Sequence, residues 1–168
     1  MLITGRSSII VLLAIVCACS VSYKFTGASI SPLAKTFNVQ YFQNRAPLVQ
    51  PGLSQGLTDA LIDKCKAQTS LKYSTSSGDV NFEGEITDYN TRPLAVAADA
   101  QAALNRFTIS VKVKYTNTID PDNSFEQTFS QYEDYSSSQE LSAVEKDLAE
   151  KIIIKLVEDI FNQAFVNW

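Results

Sequence analysis

The order of the predicted elements indicates an α+β two-layer sandwich, in which helices pack on one face of a sheet. Apolar residues recur at helical spacing in two segments and at every second position in several others, in the order strand, helix, three or four strands, helix. Strands that follow one another without an intervening helix favour a sheet with the helices gathered on one side. Without a visible internal repeat or boundary, residues 35–168 are predicted to form a single domain.

The first strand and helix are separated by a proline-rich loop. Alternation predicts a strand over Thr36–Phe42, with every second residue on the buried face (Phe37, Val39 and Tyr41). Asn44–Pro51 is predicted as a loop, and Pro51 suits the first turn of a helix, where its missing N–H costs nothing. The helix itself is indicated by apolar residues three and four positions apart (Leu53, Leu57, Ala60, Leu61 and Cys65).

The middle of the chain predicts two strands around a turn. Leu71–Tyr73 is a short strand candidate, and the composition of Ser74–Asp79 is typical of a turn. The next strand begins at Val80 and reaches at least Tyr89. Thr91–Pro93 is expected to end or bend that strand, since proline cannot donate to a ladder, and residues 94–101 are expected to form a strand end and a loop.

A hairpin and a long helix complete the predicted domain. One strand alternates clearly, with Phe107, Ile109, Val111, Val113 and Tyr115 on one face, and Asp120–Asn123 is a turn signal before a strand over Phe125–Tyr135. Two segments, Ser137–Glu140 and Ser142–Glu145, resemble capping boxes, so the last helix is expected to begin near one of them. Its apolar stripe runs to about Phe165.

The N-terminal 18 residues have the layout of a secretory signal. A basic Arg6 precedes the apolar run Ile9–Val16, which is too short to cross a bilayer. The stretch Val16–Cys19 resembles a bacterial lipobox, so residues 1–18 are predicted to be a lipoprotein signal peptide with Cys19 as the lipid attachment site. Residues 19–34 would then form the lipidated tether. The alternative is a plain secretory signal with an incidental cysteine.

Composition excludes several classes of function. The net charge of −4 argues against nucleic-acid binding, which needs clustered Lys and Arg, and the chain contains no histidine, the usual general base and metal ligand. Phosphate loops, nucleophile elbows and paired-cysteine metal spacings are missing from the sequence, so no enzyme activity, metal or cofactor is predicted. Cys65 would be the one cysteine of the processed domain besides Cys19, and its position on the helical stripe predicts a buried, inert thiol.

A few charged residues on the strands could carry a function. Lys112 and Lys114 could grip phosphate, assisted by Arg92 and Arg106 near the ends of the neighbouring strands. The simpler interpretation is a solvated strand face. Glu83 and Glu85 share one face and could serve glycoside hydrolysis, but a solvated face opposite Phe82 is the more economical interpretation.

The chain resembles the Bacteroidetes branch of the LPS-assembly lipoprotein family, LptE. The likeness is carried, in order, by SYKFTGASISP (Ser22–Pro32), NVQYFQNRAPLVQP (Asn38–Pro51), FEGEITDYNTRP (Phe82–Pro93), AALNRFTISVKVKYTN (Ala102–Asn117), FEQTFSQYEDYSSSQ (Phe125–Gln139) and LVEDIFNQAFVNW (Leu156–Trp168). The resemblance implies two helices on one face of a four-stranded, mostly antiparallel mixed sheet. It also implies a non-enzymatic role in the outer membrane, as plug and assembly partner of the β-barrel LptD in transport of lipopolysaccharide.

The sequence differs from the proteobacterial members of this family in two segments. Proteobacterial members carry basic residues after the third strand and before the last helix, whereas Ala95–Ala100 and Ser136–Glu140 contain none here, which leaves direct contact with lipopolysaccharide open.

The alternative function is a periplasm-facing lipoprotein that activates a cell-wall synthase or serves as an envelope scaffold. The short tether argues against it, because a long linker would be needed to cross the periplasm.

Overall fold

Two helices and a mixed sheet of six strands make up the domain. A computed structural model describes residues 30–47, 50, 52–94 and 103–166. The elements are β1 (Thr36–Val39), β2 (Gln43–Asn44), α1 (Leu53–Gln68), β3 (Lys72–Tyr73), β4 (Val80–Pro93), β5 (Leu104–Asn117), a 3₁₀ turn (Pro121–Asn123), β6 (Phe125–Ser136) and α2 (Leu141–Phe165). The α+β class predicted from the sequence is confirmed.

The sheet differs in detail from the expected four-stranded, mostly antiparallel one. Its order is β3-β1-β4-β5-β6, with β2 also paired to β4, and three of the five pairings (β1–β3, β1–β4 and β2–β4) are parallel. The parallel pairings arise because the crossover through α1 returns the chain in the direction of β1. Of the two extra strands, β3 confirms the short candidate at Leu71–Tyr73, whereas β2 has two residues, too few to produce a recognisable alternation.

The predicted first strand is broken in the structure. β1 and β2 both pair along β4, but the chain leaves the ladder at residues 40–42. Tyr41 was expected on the buried face and is instead 56% exposed, while Phe42 is fully buried. Phe42 is held there because its backbone N–H donates to Thr58 Oγ1 of α1 at 3.2 Å, and this turn shifts the alternation by one residue.

β4 ends at Pro93, within the segment Thr91–Pro93 where the sequence predicted an end or a bend, and Pro93 lies opposite Asn105. Leu94 N–H donates to Leu104 O at 2.9 Å, which shows that the even-numbered residues of β5 form the hydrogen bonds to β4. Pro93 lies opposite the odd-numbered Asn105, so its nitrogen points away from β5. Proline therefore costs no ladder bond here. The strand does bend, at a register shift between Ile86 and Asp88. The predicted loop over residues 94–101 lies almost entirely outside the described residues.

Both helices begin close to the predicted positions, but their caps differ from the sequence expectation. α1 follows Gly52, whose φ of 87° is the left-handed conformation that glycine adopts without strain, and Pro51 lies outside the described residues. α2 follows Glu140, with no side-chain cap, so neither predicted capping box forms. Both apolar stripes are confirmed, with Leu57, Leu61 and Cys65 of α1 and Ile152, Leu156 and Ile160 of α2 buried against the sheet.

One hydrophobic core lies between the helices and one face of the sheet. The largest fully buried side chains come from all layers: Phe37, Phe42, Phe82, Phe107 and Tyr115 from the strands and their connection, and Leu57, Leu61, Ile152, Leu156 and Phe165 from the helices. This packing leaves the opposite face of β4, β5 and β6 without a covering helix among the described residues. That face is the candidate functional surface.

Candidate functional site: the open face of the sheet

Strict alternation places polar side chains on the face of the sheet that points away from the helices. We call this surface the open face. Cross-strand register brings together alternate residues of β4, β5 and β6, which are Asn81, Glu83, Glu85, Asp88, Asn90 and Arg92; Arg106, Thr108, Ser110, Lys112, Lys114 and Thr116; and Glu126, Thr128, Ser130, Tyr132 and Asp134. Charged residues occupy its two ends, and small hydroxyl side chains occupy its centre, where Ser110 Oγ donates to Ser130 Oγ at 2.9 Å.

A groove lies at the end of the open face nearest the β5–β6 turn. It measures about 330 Å³ and lies between the connection Gln40–Gln43 and strands β4 and β5. The exposed Tyr41 forms part of its wall, while Lys112 and Lys114 line its floor. The break between β1 and β2 that turns Phe42 inward thus also turns Tyr41 outward onto this surface.

The two lysines of the groove are already ion-paired. Lys112 Nζ lies 2.5 Å from Glu126 Oε1, and Lys114 Nζ lies 3.8 Å from Glu83 Oε2. The hydrogen bond between Lys112 and Glu126 raises the pKa of the lysine and holds the pKa of the carboxyl below its ordinary value. An incoming phosphate would have to displace these carboxylates, although exposed pairs of this kind are worth only about 0–1 kcal/mol each.

The two arginines lie at the other end of the open face, about 20 Å from the lysines at the usual strand rise. Arg106 is tightly held: Nε and Nη2 donate to the two carboxylate oxygens of Asp134 at 2.8 and 2.9 Å, and the guanidinium lies 3.6 Å from the centre of the Tyr132 ring. The bond to Asp134 raises the pKa of Arg106 and lowers that of Asp134. The guanidinium of Arg106 is therefore already bound by Asp134 and Tyr132 of β6.

Arg92 differs from the other three candidate cations, because it has no ion pair with any described residue. It is exposed near the end of β4 and lies directly opposite Arg106 in the register. Two like charges on directly opposed residues, with Cα atoms about 5.5 Å apart, repel each other. Asp134 neutralises Arg106, and an anion from outside the chain would be the natural complement of Arg92.

Glu83 and Glu85, the carboxylate pair considered from the sequence, both lie beside basic side chains. Glu83 faces Lys114, and Glu85 Oε2 lies 3.9 Å from Arg45 Nε. Both side chains belong to the exposed ion-pair network of the groove, and neither is held in a desolvated environment that would prepare it for acid–base chemistry. Within the described ranges, no group of three or more acidic, cysteine or histidine side chains is placed to hold a metal ion.

The predictions for the cysteines divide between two parts of the chain. Cys65 is fully buried in α1, and burial raises the pKa of its thiol to about 12, so it is protonated and unreactive, as predicted. Cys19 and the predicted signal and tether up to residue 29 lie outside the described residues. Neither described helix is long and apolar enough to span a bilayer.

A family model places the chain among known proteins. The family described as LptE, lipopolysaccharide-assembly, matches residues 34–164, which run from just before β1 to the last turn of α2. The chain belongs to this family. It is a family of non-enzymatic lipopolysaccharide-assembly lipoproteins associated with the outer membrane. No curated protein matches the sequence.

Solved structures share the fold at low sequence identity. A minor lipoprotein from Acinetobacter baumannii is 13% identical with a TM-score of 0.50, and the match covers 77% of this chain and 91% of that one. The hypothetical protein CT253 from Chlamydia trachomatis is 8% identical with a TM-score of 0.50, over 79% and 99% of the two chains. A neuraminyllactose-binding hemagglutinin homolog from Helicobacter pylori is 6% identical with a TM-score of 0.53, over 84% and 88%. At these identities the likeness establishes the fold alone.

The sequence identified the cations but not their partners. Asp134 and Tyr132, which fix Arg106, and Glu126, which pairs with Lys112, received no role from the sequence. A signal was present, since the turn over Asp120–Asn123 sets the register of the hairpin, and this register places Asp134 directly opposite Arg106. Tyr132 and Glu126 lie on the diagonals from Arg106 and Lys112, which is still within reach of long side chains. Tyr41 could not have been found in this way, because its exposure depends on the tertiary bond between Phe42 and Thr58.

Proposed function

We propose that the chain is a lipid-anchored component of the lipopolysaccharide translocon in the outer membrane, where it acts as plug and assembly partner of an LptD-type β-barrel. The observation that carries the proposal is the family match over residues 34–164, which includes all the strands and nearly all of both helices. Its partner, its insertion in the barrel and its lipid anchor are parts of this proposal.

The character of the open face supports a role inside a barrel. The lumen of large outer-membrane barrels is polar, and the open face is polar, with acids and bases in adjacent pairs. A six-stranded sheet with helices packed on one side is rigid, as a plug must be. Such a surface would contact a polar wall without burying unpaired charge.

An anchor on Cys19 would hold the domain at the inner leaflet. One acyl chain binds a membrane only marginally, so a stable anchor needs more than one chain on the cysteine. Labelling of the full chain with radioactive palmitate should be lost in the variant Cys19→Ser and retained in the matched variant Cys17→Ser. Labelling that persists in Cys19→Ser would refute this assignment.

The four cations remain candidates for contact with lipopolysaccharide phosphates, with Arg92 first among them. Arg106, Lys112 and Lys114 each have an acidic partner at the distances given above, whereas the nearest residue across the ladder from Arg92 is another arginine. Binding of purified lipopolysaccharide should weaken about tenfold in Arg92→Glu and change little in Lys114→Gln. Equal binding by both variants would remove Arg92 as a contact.

Affinity purification of the full chain from outer membranes tests the central proposal. A C-terminally tagged chain should recover a large β-barrel in roughly equimolar amount. Recovery of a cell-wall synthase instead would favour the alternative of a periplasm-facing activator. Recovery of neither would leave an envelope scaffold without a role in the translocon.

A further inference from the structure

The sheet has one long edge that no other strand covers in the described part of the chain. β3 closes the opposite side with two residues, but β6 offers twelve, from Phe125 to Ser136. Long edges template the addition of further strands, and proteins usually shorten, charge or cover them. β6 is therefore the natural place to look for a second interaction.

The backbone groups available at this edge can be assigned. Ser137 N–H donates to Ala103 O at 3.0 Å, which fixes the hydrogen-bonded pairs of β5 and β6 at odd-numbered residues. The N–H and C=O groups of even-numbered residues such as Glu126, Thr128 and Ser130 consequently point outward. Lys155 Nζ donates to the outward C=O of Tyr132 at 3.2 Å, an independent sign of the same alternation.

The same edge is accompanied by a groove. Its volume is about 510 Å³, and it runs between Gln127–Ser130 of β6 and the C-terminal turns of α2, with Asp159, Asn162 and Gln163 in its wall. Lys155 closes the edge at Tyr132, beyond one end of this stretch, so the row Glu126–Ser130 and the groove lie side by side. Edge strands that bind peptides combine main-chain bonds with a pocket for alternate side chains in this way.

Charge indicates which kind of strand would fit. The three acids of β6, Glu126, Glu133 and Asp134, are each paired with a cation of this chain. Asp159 in the groove wall accepts a bond from Gln131 Nε2 at 2.6 Å and has no cation partner among the described residues. The β6 strand of a second copy could not supply a cation to Asp159, because β6 contains no lysine or arginine. A partner strand with lysine or arginine side chains would be complementary.

We infer that Glu126–Ser130 of β6 is a strand-addition site for an extended, lysine- or arginine-bearing segment of the β-barrel partner. The inference rests on the proposed function and names the surface through which the partner is held. The wall strands of a barrel are paired on both sides, so the segment that adds to β6 comes from outside the wall. It would extend the sheet by one strand and place a basic side chain beside Asp159.

The test compares three forms of the full tagged chain: wild type, Thr128→Pro and Thr128→Val. Thr128 is exposed and its N–H points outward, so proline removes this donor without removing a bond to β5. Valine keeps the donor and serves as the matched control. Barrel recovery should fall at least tenfold in Thr128→Pro and stay within twofold of wild type in Thr128→Val.

Amide hydrogen exchange on the wild-type complex gives a second readout that does not depend on a variant folding. The amides of Glu126, Thr128 and Ser130 should exchange at least tenfold more slowly in the complex with the barrel than in the free chain. Equal exchange rates, or full barrel recovery by a folded Thr128→Pro, would overturn the inference while the proposed function stands. Failure of the wild type to recover a barrel would overturn both.

Discussion

Adding one methyl group at Gly84 should destabilise the domain, because β4 and β5 approach each other there more closely than a side chain allows. A Cβ at this position would lie 2.3 Å from the carbonyl oxygen of Lys112 and 2.6 Å from the ring of Phe42, where ordinary contact begins at 3.4 Å. Either β5 or the ring would have to move by about 1 Å in a close-packed core. Because the clash is with a backbone atom, the upper end of the overpacking cost applies, about 3 kcal/mol. Alanine recovers about 0.5–1 kcal/mol of strand propensity, so Gly84→Ala should lose about 2 kcal/mol net.

The matched control is Gly56→Ala in α1. There the added Cβ would lie 3.5 Å from Ile153 Cδ1, an ordinary contact, and alanine in a helix is favoured over glycine by about 1 kcal/mol. Urea unfolding of residues 19–168, followed by circular dichroism, should give a lower midpoint than wild type for Gly84→Ala and a higher one for Gly56→Ala. A Gly84→Ala midpoint equal to that of wild type would refute the packing derived for β4, β5 and Phe42.

Three further perturbations test other parts of the fold. Phe42→Ala should cost about 3–5 kcal/mol by the same unfolding assay, since the ring is fully buried, and a loss below 1 kcal/mol would contradict its place in the core. Asp79→Asn should lower the melting temperature at pH 7, because hydrogen bonds from Lys35 and Thr36 to this carboxylate hold its pKa below the ordinary value of 3.8. The stabilisation is present above pH 3.8 and is lost as the pH falls through the lower pKa of the folded state. A difference from wild type that did not shrink in acid would contradict this. Cys65 should resist iodoacetamide at pH 8 in the native chain and react in denaturant, because its pKa is raised to about 12; rapid native alkylation would contradict its burial.

The elements with strong periodicity could be predicted from the sequence. Both helices and the strands β4, β5 and β6 carry long apolar stripes or alternations, and the sequence predicted the position of each to within a few residues. The strands that were missed or misjudged are those whose formation depends on distant contacts. β2 has two residues, and the break before it exists because Phe42 bonds to Thr58 across the core.

The candidate site was predictable in its parts and not in its arrangement. Arg92, Arg106, Lys112 and Lys114 were identified as one polar set, and all lie on the open face, but the structure separates them into two pairs. Ion pairs with Asp134, Glu126 and Glu83 occupy three of the four, and such pairings follow from register rather than from residue type. The edge of β6 had no sequence signal, because any strand reads alike whether it lies inside a sheet or at its edge.

Depletion of the protein from growing cells tests the account most directly. If the chain belongs to the lipopolysaccharide translocon, newly made lipopolysaccharide should cease to reach the outer leaflet within a few generations, while cross-linking of the cell wall stays normal. Surface labelling of lipopolysaccharide and analysis of peptidoglycan in the same culture measure both. Normal surface lipopolysaccharide in depleted cells, with or without a cell-wall defect, would contradict the account.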